Sequence, residues 1–143
     1  MTGLELMRAV ADGTLPAPGM AETLGFGIDF VEEGRVAMSL APGTRHLNPL
    51  GTVHGGVHAT LLDSVMGCAV HTLLPPGVSY TTLELKVNYV RALDEHAGPV
   101  TARGSVIHLG GRIATAEGRV ETSTGELVAH ATTTCMILRP RPS

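Results

Sequence analysis

Aromatic residues are nearly missing from this chain: it has no Trp, and two Phe and two Tyr are its whole aromatic complement in 143 residues. A core built without them is aliphatic. Lysine is as scarce, with Lys86 alone against nine Arg, and the net charge is −3. No overall positive field favours nucleic acid. The only two cysteines, Cys68 and Cys135, lie in apolar stretches, which suits small core hydrophobes in a reduced protein better than a disulfide framework. The opening residues MTGLELMRAVADG lack the basic flank and long apolar run of a signal peptide. The apolar stretch 54–74 carries Asp63, His58 and His71, so packing inside protein accounts for it better than a membrane span. A cytoplasmic protein without a membrane or nucleic-acid partner is expected. With no G-x-S-x-G elbow, a serine mechanism of the alpha/beta-hydrolase kind has no support.

What is present is 43% hydrophobic residue, 18 Gly and 9 Pro, in a length that suits one domain with a sizeable core. Leu4, Met7, Val10 and Ala11 are spaced for a short amphipathic helix, broken by Pro16 and Pro18, with another turn at 20–24. Residues 26–31 and 36–40 alternate around a Glu33-Gly34 turn as an antiparallel hairpin. The loop 44–53 leads into a long apolar helix, stopped by Pro75-Pro76-Gly77. Four hairpin-linked strands are expected at 79–91, 99–109, 112–121 and 127–138, with turns at Gly110-Gly111 and Ser123-Thr124-Gly125. In the first of these, strict alternation puts Thr81, Leu83, Leu85, Val87 and Tyr89 on one face and Thr82, Glu84, Lys86 and Asn88 on the other. A helix apolar on most sides must be covered nearly all round. The order therefore predicts an α+β hotdog architecture, a curved antiparallel sheet of about six strands wrapped around the helix. The whole chain, 1–143, reads as one domain, with 1–21 as an N-terminal helical segment and 22–138 as the core. Edges and helix left uncovered predict a homodimer or homotetramer.

The chemistry centres on HLNPLGTVHGGVHATLLDSVMGCAVHTLL, residues 46–74. A helix starting near Gly55 presents unpartnered N–H groups and partial positive charge. Two glycines there let a polarised carbonyl approach the backbone, though the pair equally suits tight helix–sheet packing. Asp63 stands alone in the apolar run, and a buried acid is costly unless it is paired, hydrogen-bonded or used. It lies seven residues past Gly56, nearly two turns and roughly 10 Å along the axis. One chain cannot bring its own Asp63 to a group held at its own Gly55, whereas two antiparallel helices across a two-fold axis can. His54 is placed to cap or orient the helix start. HGGVH lacks the Glu of a zinc-protease motif, so no metal is expected. His58 lies one turn past His54, and His71, His96, His108 and His130 read as exposed or satisfied core histidines. Asn48 reads from composition as a turn residue.

NPLGTVHGGVHATLLD, together with TLELKVNYVR, resembles the signature of the hotdog acyl-CoA thioesterases of the phenylacetate-degradation (PaaI-type) branch, over about residues 22–138. The resemblance implies hydrolysis of an acyl-CoA to a carboxylic acid and free CoA, which is substrate and not cofactor. It implies that Gly55 donates its backbone N–H to the thioester oxygen beside Gly56, that His54 sets the loop, and that Asn48 orients substrate or water. Asp63 of a facing subunit would be general base or nucleophile, with the base favoured because one carboxylate and one water suffice. Thr82 matches a Ser or Thr that assists the water, although alternation leaves Thr81 and Thr82 open to exchange. Arg91, Arg103 and Arg112, near strand ends, are the candidates for the CoA phosphates. The family often has Arg-Pro where this chain has Arg91-Ala92. The alternatives are an acyl-CoA binding module without catalysis, or a hydrolase of carrier-protein thioesters.

Overall fold

The computed structural model describes residues 1–141. The N-terminal segment forms α1 (Gly3–Ala11) and α2 (Gly19–Leu24). A capping box starts α1: Thr2 Oγ1 accepts the Glu5 N–H at 3.1 Å and Glu5 Oε2 accepts the Thr2 N–H at 2.8 Å. Gly25, at φ 80°, ends α2 in the left-handed region open to glycine. The hairpin β1 (Phe26–Glu32) and β2 (Arg35–Leu40) follows, then a 3-10 turn at Thr44–His46, and then the central α3 (Gly55–His71). The remaining strands are β3 (Ser79–Tyr89), β4 (Val100–Leu109), β5 (Ile113–Thr122) and β6 (Leu127–Leu138).

One antiparallel sheet holds all six strands in the order β1-β2-β4-β5-β6-β3. It packs around α3, of which Leu61, Leu62, Val65, Met66, Ala69 and Val70 are wholly buried. Burying each of the larger ones contributes roughly 1.5–3 kcal/mol. The hotdog expectation holds. Within α3 the single chain leaves open the start at Gly55 and a strip bearing Gly56, Ala59, Thr60, Asp63, Ser64, Cys68 and His71.

Two expectations fail. First, the four later strands are not all hairpin-linked. Tight turns join β4 to β5 and β5 to β6, but β3 pairs with β6, from Ser79↔Leu138 to Tyr89↔Ala129, at the sheet's far edge. The connection 90–99 is too long for a tight turn. It is tied to the loop before α3, since Leu93 is buried and its carbonyl accepts the Val53 N–H at 2.7 Å. The chain thus crosses from the edge to the sheet's centre. Second, alternation along β3 is broken. A bulge between Thr82 and Glu84 leaves Leu83 unpaired and 52% exposed, and the extra residue inverts the parity. Tyr80, Thr82, Leu85 and Val87 are the partly buried positions of the strand, while Thr81 is exposed.

Close approach of sheet to helix depends on glycine. A Cβ on Gly104 of β4 would run into the Val65 carbonyl of α3, and one on Gly118 of β5 would stand 3.1 Å from Leu62 Cδ2 and Met66 Cγ. Gly104→Ala is therefore expected to destabilise the fold by about 1–3 kcal/mol, read as a lower urea midpoint. Gly111→Ala, whose Cβ meets nothing within 4 Å, should stay near wild type.

His58 is 3% exposed and its Nδ1 has no hydrogen-bond partner among the described residues. Burial holds its pKa below the ordinary value of 6.5. The unfolded chain then gains a proton near that value which the folded chain resists, so stability is full above it and falls as the pH drops towards the folded pKa, by at most about 1.4 kcal/mol per pH unit. Urea titrations between pH 7.5 and 5.5 should show a shallower loss in His58→Leu than in wild type.

Candidate active site

The loop before α3 is built by its own polar side chains. Asn48 Oδ1 accepts the N–H groups of Leu50 (3.0 Å) and Thr52 (3.1 Å), and its Nδ2 donates to Thr52 Oγ1 at 2.8 Å. These bonds close the turn 48–52, in which Gly51 has φ 83°. His46 is buried, accepts the Gly43 N–H at Nδ1 (2.9 Å), and donates from Nε2 to the Leu24 carbonyl (2.7 Å). That tautomer follows from its partners. The His46 carbonyl in turn accepts the His54 N–H at 2.7 Å. A buried histidine thus locks the end of α2 to the start of α3.

His54 is the N-cap of α3, and its Nδ1 accepts the Gly56 N–H at 2.8 Å. This removes Gly56 as a free donor. The Gly55 N–H finds no acceptor among the described residues, and it stands at the positive end of the helix. The Gly55 carbonyl accepts the Tyr89 hydroxyl at 2.7 Å. Tyr89 comes from the end of β3, and sequence reasoning assigned it no role because its partner lies 34 residues away.

Asp63 is half-buried on the open strip of α3, and its Oδ1 accepts from Thr82 Oγ1 at 2.9 Å. Of Thr81 and Thr82, it is Thr82 that faces the helix, because the bulge at Leu83 shifts the alternation. The structure therefore holds two clusters, His54–Gly55–Tyr89 and Asp63–Thr82. They are separated by roughly 10 Å along α3.

The arginines are scattered. Arg91 pairs with Glu126 at 2.9 Å beside the connection that touches Val53, near the helix start. Arg103 is exposed on β4 directly across from Arg119, on the sheet face turned away from α3. Arg112 lies in the β4–β5 turn, towards the other end of α3. Arg45, unassigned in the sequence reading, lines a hollow of about 290 Å³ with His54, Gly56, Val57 and Thr60, and donates to the Leu24 carbonyl at 3.1 Å. Beyond Met20, which both share, an apolar cavity of about 280 Å³ lies under α1 and α2, lined by Met7, Phe26, Met38, Ser64 and Cys68.

Neither thiol is activated. Burial pushes Cys68 up to about 11, and it raises Cys135 as well, so both stay protonated at neutral pH and make poor nucleophiles. Tyr80, packed on Gly67, is likewise pushed up by burial. Among the described residues no three His, Cys, Asp or Glu are grouped to hold a metal, and no helix is long and apolar enough to cross a membrane.

The profile of the thioesterase superfamily matches residues 50–129, which contain both clusters. A candidate esterase of Halobacterium salinarum is 31% identical over 129 residues, covering 85% of this chain and 83% of that protein. The 1,4-dihydroxy-2-naphthoyl-CoA hydrolase of Listeria monocytogenes is 27% identical over 123 residues, covering 86% and 98%. Among solved structures, a phenylacetic acid degradation-related protein of Ralstonia eutropha superimposes with a TM-score of 0.82 at 32% identity, over 91% of this chain and 98% of that one. With the sheet wrapped on α3 and the matched segment spanning the loop, the helix and β3 to β5, this chain belongs to the thioesterase superfamily and is a thioester hydrolase of the hotdog fold.

Proposed function

We propose that the protein is an acyl-CoA thioesterase whose active site is completed by a second copy of the chain. The observation that carries this reading is the pairing of one backbone donor without a partner among the described residues, at Gly55 in the open helix start, with one hydrogen-bonded carboxylate, at Asp63 on the open strip, about two turns apart. Two antiparallel copies of α3 bring each Asp63 to the other's Gly55. The edge strand β3, eleven residues long with one side unpaired among the described residues, supports association by a second copy.

In the proposed reaction Asp63 takes a proton from water, held in orientation by Thr82, as the oxygen adds to the thioester carbonyl. The Gly55 N–H receives the charge that develops on the carbonyl oxygen. The C–S bond then breaks, the CoA sulfur takes up a proton, and a carboxylic acid and free CoA leave. His54 and Asn48 shape the loop, and Gly56 keeps the approach open. The cavity under α1 and α2 begins one residue past Asp63, at Ser64, and offers the acyl group an apolar compartment. For the CoA phosphates we favour Arg91, with Arg45 beside the helix start, over Arg112 and over Arg103 on the opposite sheet face. The name of the Listeria relative, a CoA-ester hydrolase, supports the CoA assignment.

Thiol release from benzoyl-, phenylacetyl- and octanoyl-CoA tests the reading. Asp63→Asn and Asp63→Ala are expected to lose at least about 100-fold in kcat. Full activity in both, or no turnover of any CoA ester by wild type, overturns it.

Subunit mixing tests the shared site. Pro is tolerated at the first helical position, so Gly55→Pro removes the donor. Asp63→Ala and Gly55→Pro chains, each inactive alone, should recover about a quarter of wild-type activity when randomly mixed, since half of the dimers then carry one complete site. No recovery in verified mixed dimers excludes a shared site.

A further inference from the structure

We propose that Tyr89 is a positioning residue for the oxyanion-binding N–H, fixing the first turn of α3 so that Gly55 points its donor at the substrate; this rests on the role given to Gly55 above. The peptide group joining Gly55 to Gly56 is held at both ends. Its oxygen accepts the Tyr89 hydroxyl at 2.7 Å, and its N–H donates to His54 Nδ1 at 2.8 Å. One bond comes from the edge strand and the other from the preceding loop.

Such a clamp answers a specific weakness. Two consecutive glycines have the widest backbone freedom of any residue pair, so the chain at 55–56 does not by itself hold one direction for its N–H groups. Hydrogen bonds to a developing oxyanion are strong only when donor and acceptor are aligned. Fixing the next peptide plane limits the rotations that would swing the Gly55 N–H away. The ring contributes as well: a Cβ on Gly55 would stand 3.0 Å from Tyr89 Cζ, 3.1 Å from its oxygen and 3.2 Å from Cε1. Tyr89 therefore covers the Gly55 Cα directly. Underneath, the buried His58 ring lies 6.4 Å from the Tyr89 ring at 50°, giving the tyrosine a floor.

Core packing does not account for this tyrosine. It is 54% exposed, in a chain with only two tyrosines, so its burial contributes little and its hydroxyl is spent on one carbonyl. That carbonyl belongs to the residue whose N–H is the free donor.

Tyr89→Phe keeps the ring and removes the donor. With the acyl-CoA that wild type turns over fastest, kcat is expected to fall about ten-fold, less than the 10²–10³ for deleting an oxyanion donor outright. KM should stay within about two-fold, because ground-state binding does not use the aligned N–H. Tyr89→Met, lacking both ring and hydroxyl, should lose at least as much, so a folding failure in one variant leaves the other to report. Tyr89→Gln, which retains a donor, should fall between Phe and wild type. Unchanged kcat in the Phe and Met variants, or kcat and KM changing only in step with a lowered melting temperature, overturns the inference. Gly55→Pro run alongside separates the two failures. If it is folded and inactive while Tyr89→Phe is fully active, only the positioning role falls; if it is folded and fully active, the role of the Gly55 N–H falls.

Discussion

The burial of α3 is the constraint on which the rest of the molecule depends. Its buried residues occupy most of its circumference, from Val57 and His58 through Leu61, Leu62, Val65 and Met66 to Ala69 and Val70. No flat layer can cover such a surface, so the sheet has to curve around it. Curvature with close contact demands small residues where strand backbone meets helix backbone, and Gly104 and Gly118 stand at those places. The N-terminal helices complete the enclosure: the Gly3 N–H donates to the Leu74 carbonyl at 3.0 Å, which ties α1 to the far end of the α3 segment.

Polar chemistry is confined to what the wrapping leaves open. The strip with Thr60, Asp63 and Ser64 and the helix start at His54 to Gly56 are the places where α3 is not sealed. At the start, every backbone N–H and carbonyl from His54 to Gly56 but one has a partner among the described residues. His54 takes the Gly56 N–H, the His54 carbonyl takes the Val57 N–H at 2.9 Å, and Tyr89 holds the Gly55 carbonyl. The Gly55 N–H is left with the helix's positive end behind it. A donor whose neighbours are all committed need not reorganise when charge develops, which is the condition for electrostatic catalysis.

The acid is handled differently. Asp63 keeps partial contact with solvent and accepts a hydrogen bond from Thr82. Thr82 reaches it because the β3 bulge turns that hydroxyl inward, and bulges commonly re-aim side chains beside functional sites. Burial raises both thiols further above neutral pH, so they stay protonated. In the proposed dimer the open strip is both the site and the association surface, so assembly and catalysis draw on one piece of helix.

Much of this is legible in the chain alone. Gly55 as the helix start, Asp63 alone in an apolar run, the Pro75-Pro76-Gly77 stop and the turns at Glu33-Gly34 and Gly110-Gly111 are local signals, and local geometry obeys them. Helical rise alone separated Asp63 from Gly55 by more than one chain could bridge. Three features were decided only by tertiary structure. The partner of β3 is β6, because strand pairing is non-local and the 90–99 connection is anchored at Val53. The inward turn of Thr82 depends on a bulge that exists only against that partner, and a period of two cannot foresee an inserted residue. Tyr89 meets the Gly55 carbonyl because β3 runs back along α3, so residues far apart in sequence end beside one another. The sequence by itself determined how far apart Gly55 and Asp63 stand, since spacing along a helix is a one-dimensional fact; the sheet's pairing decided which side chains, Thr82 and Tyr89, meet them.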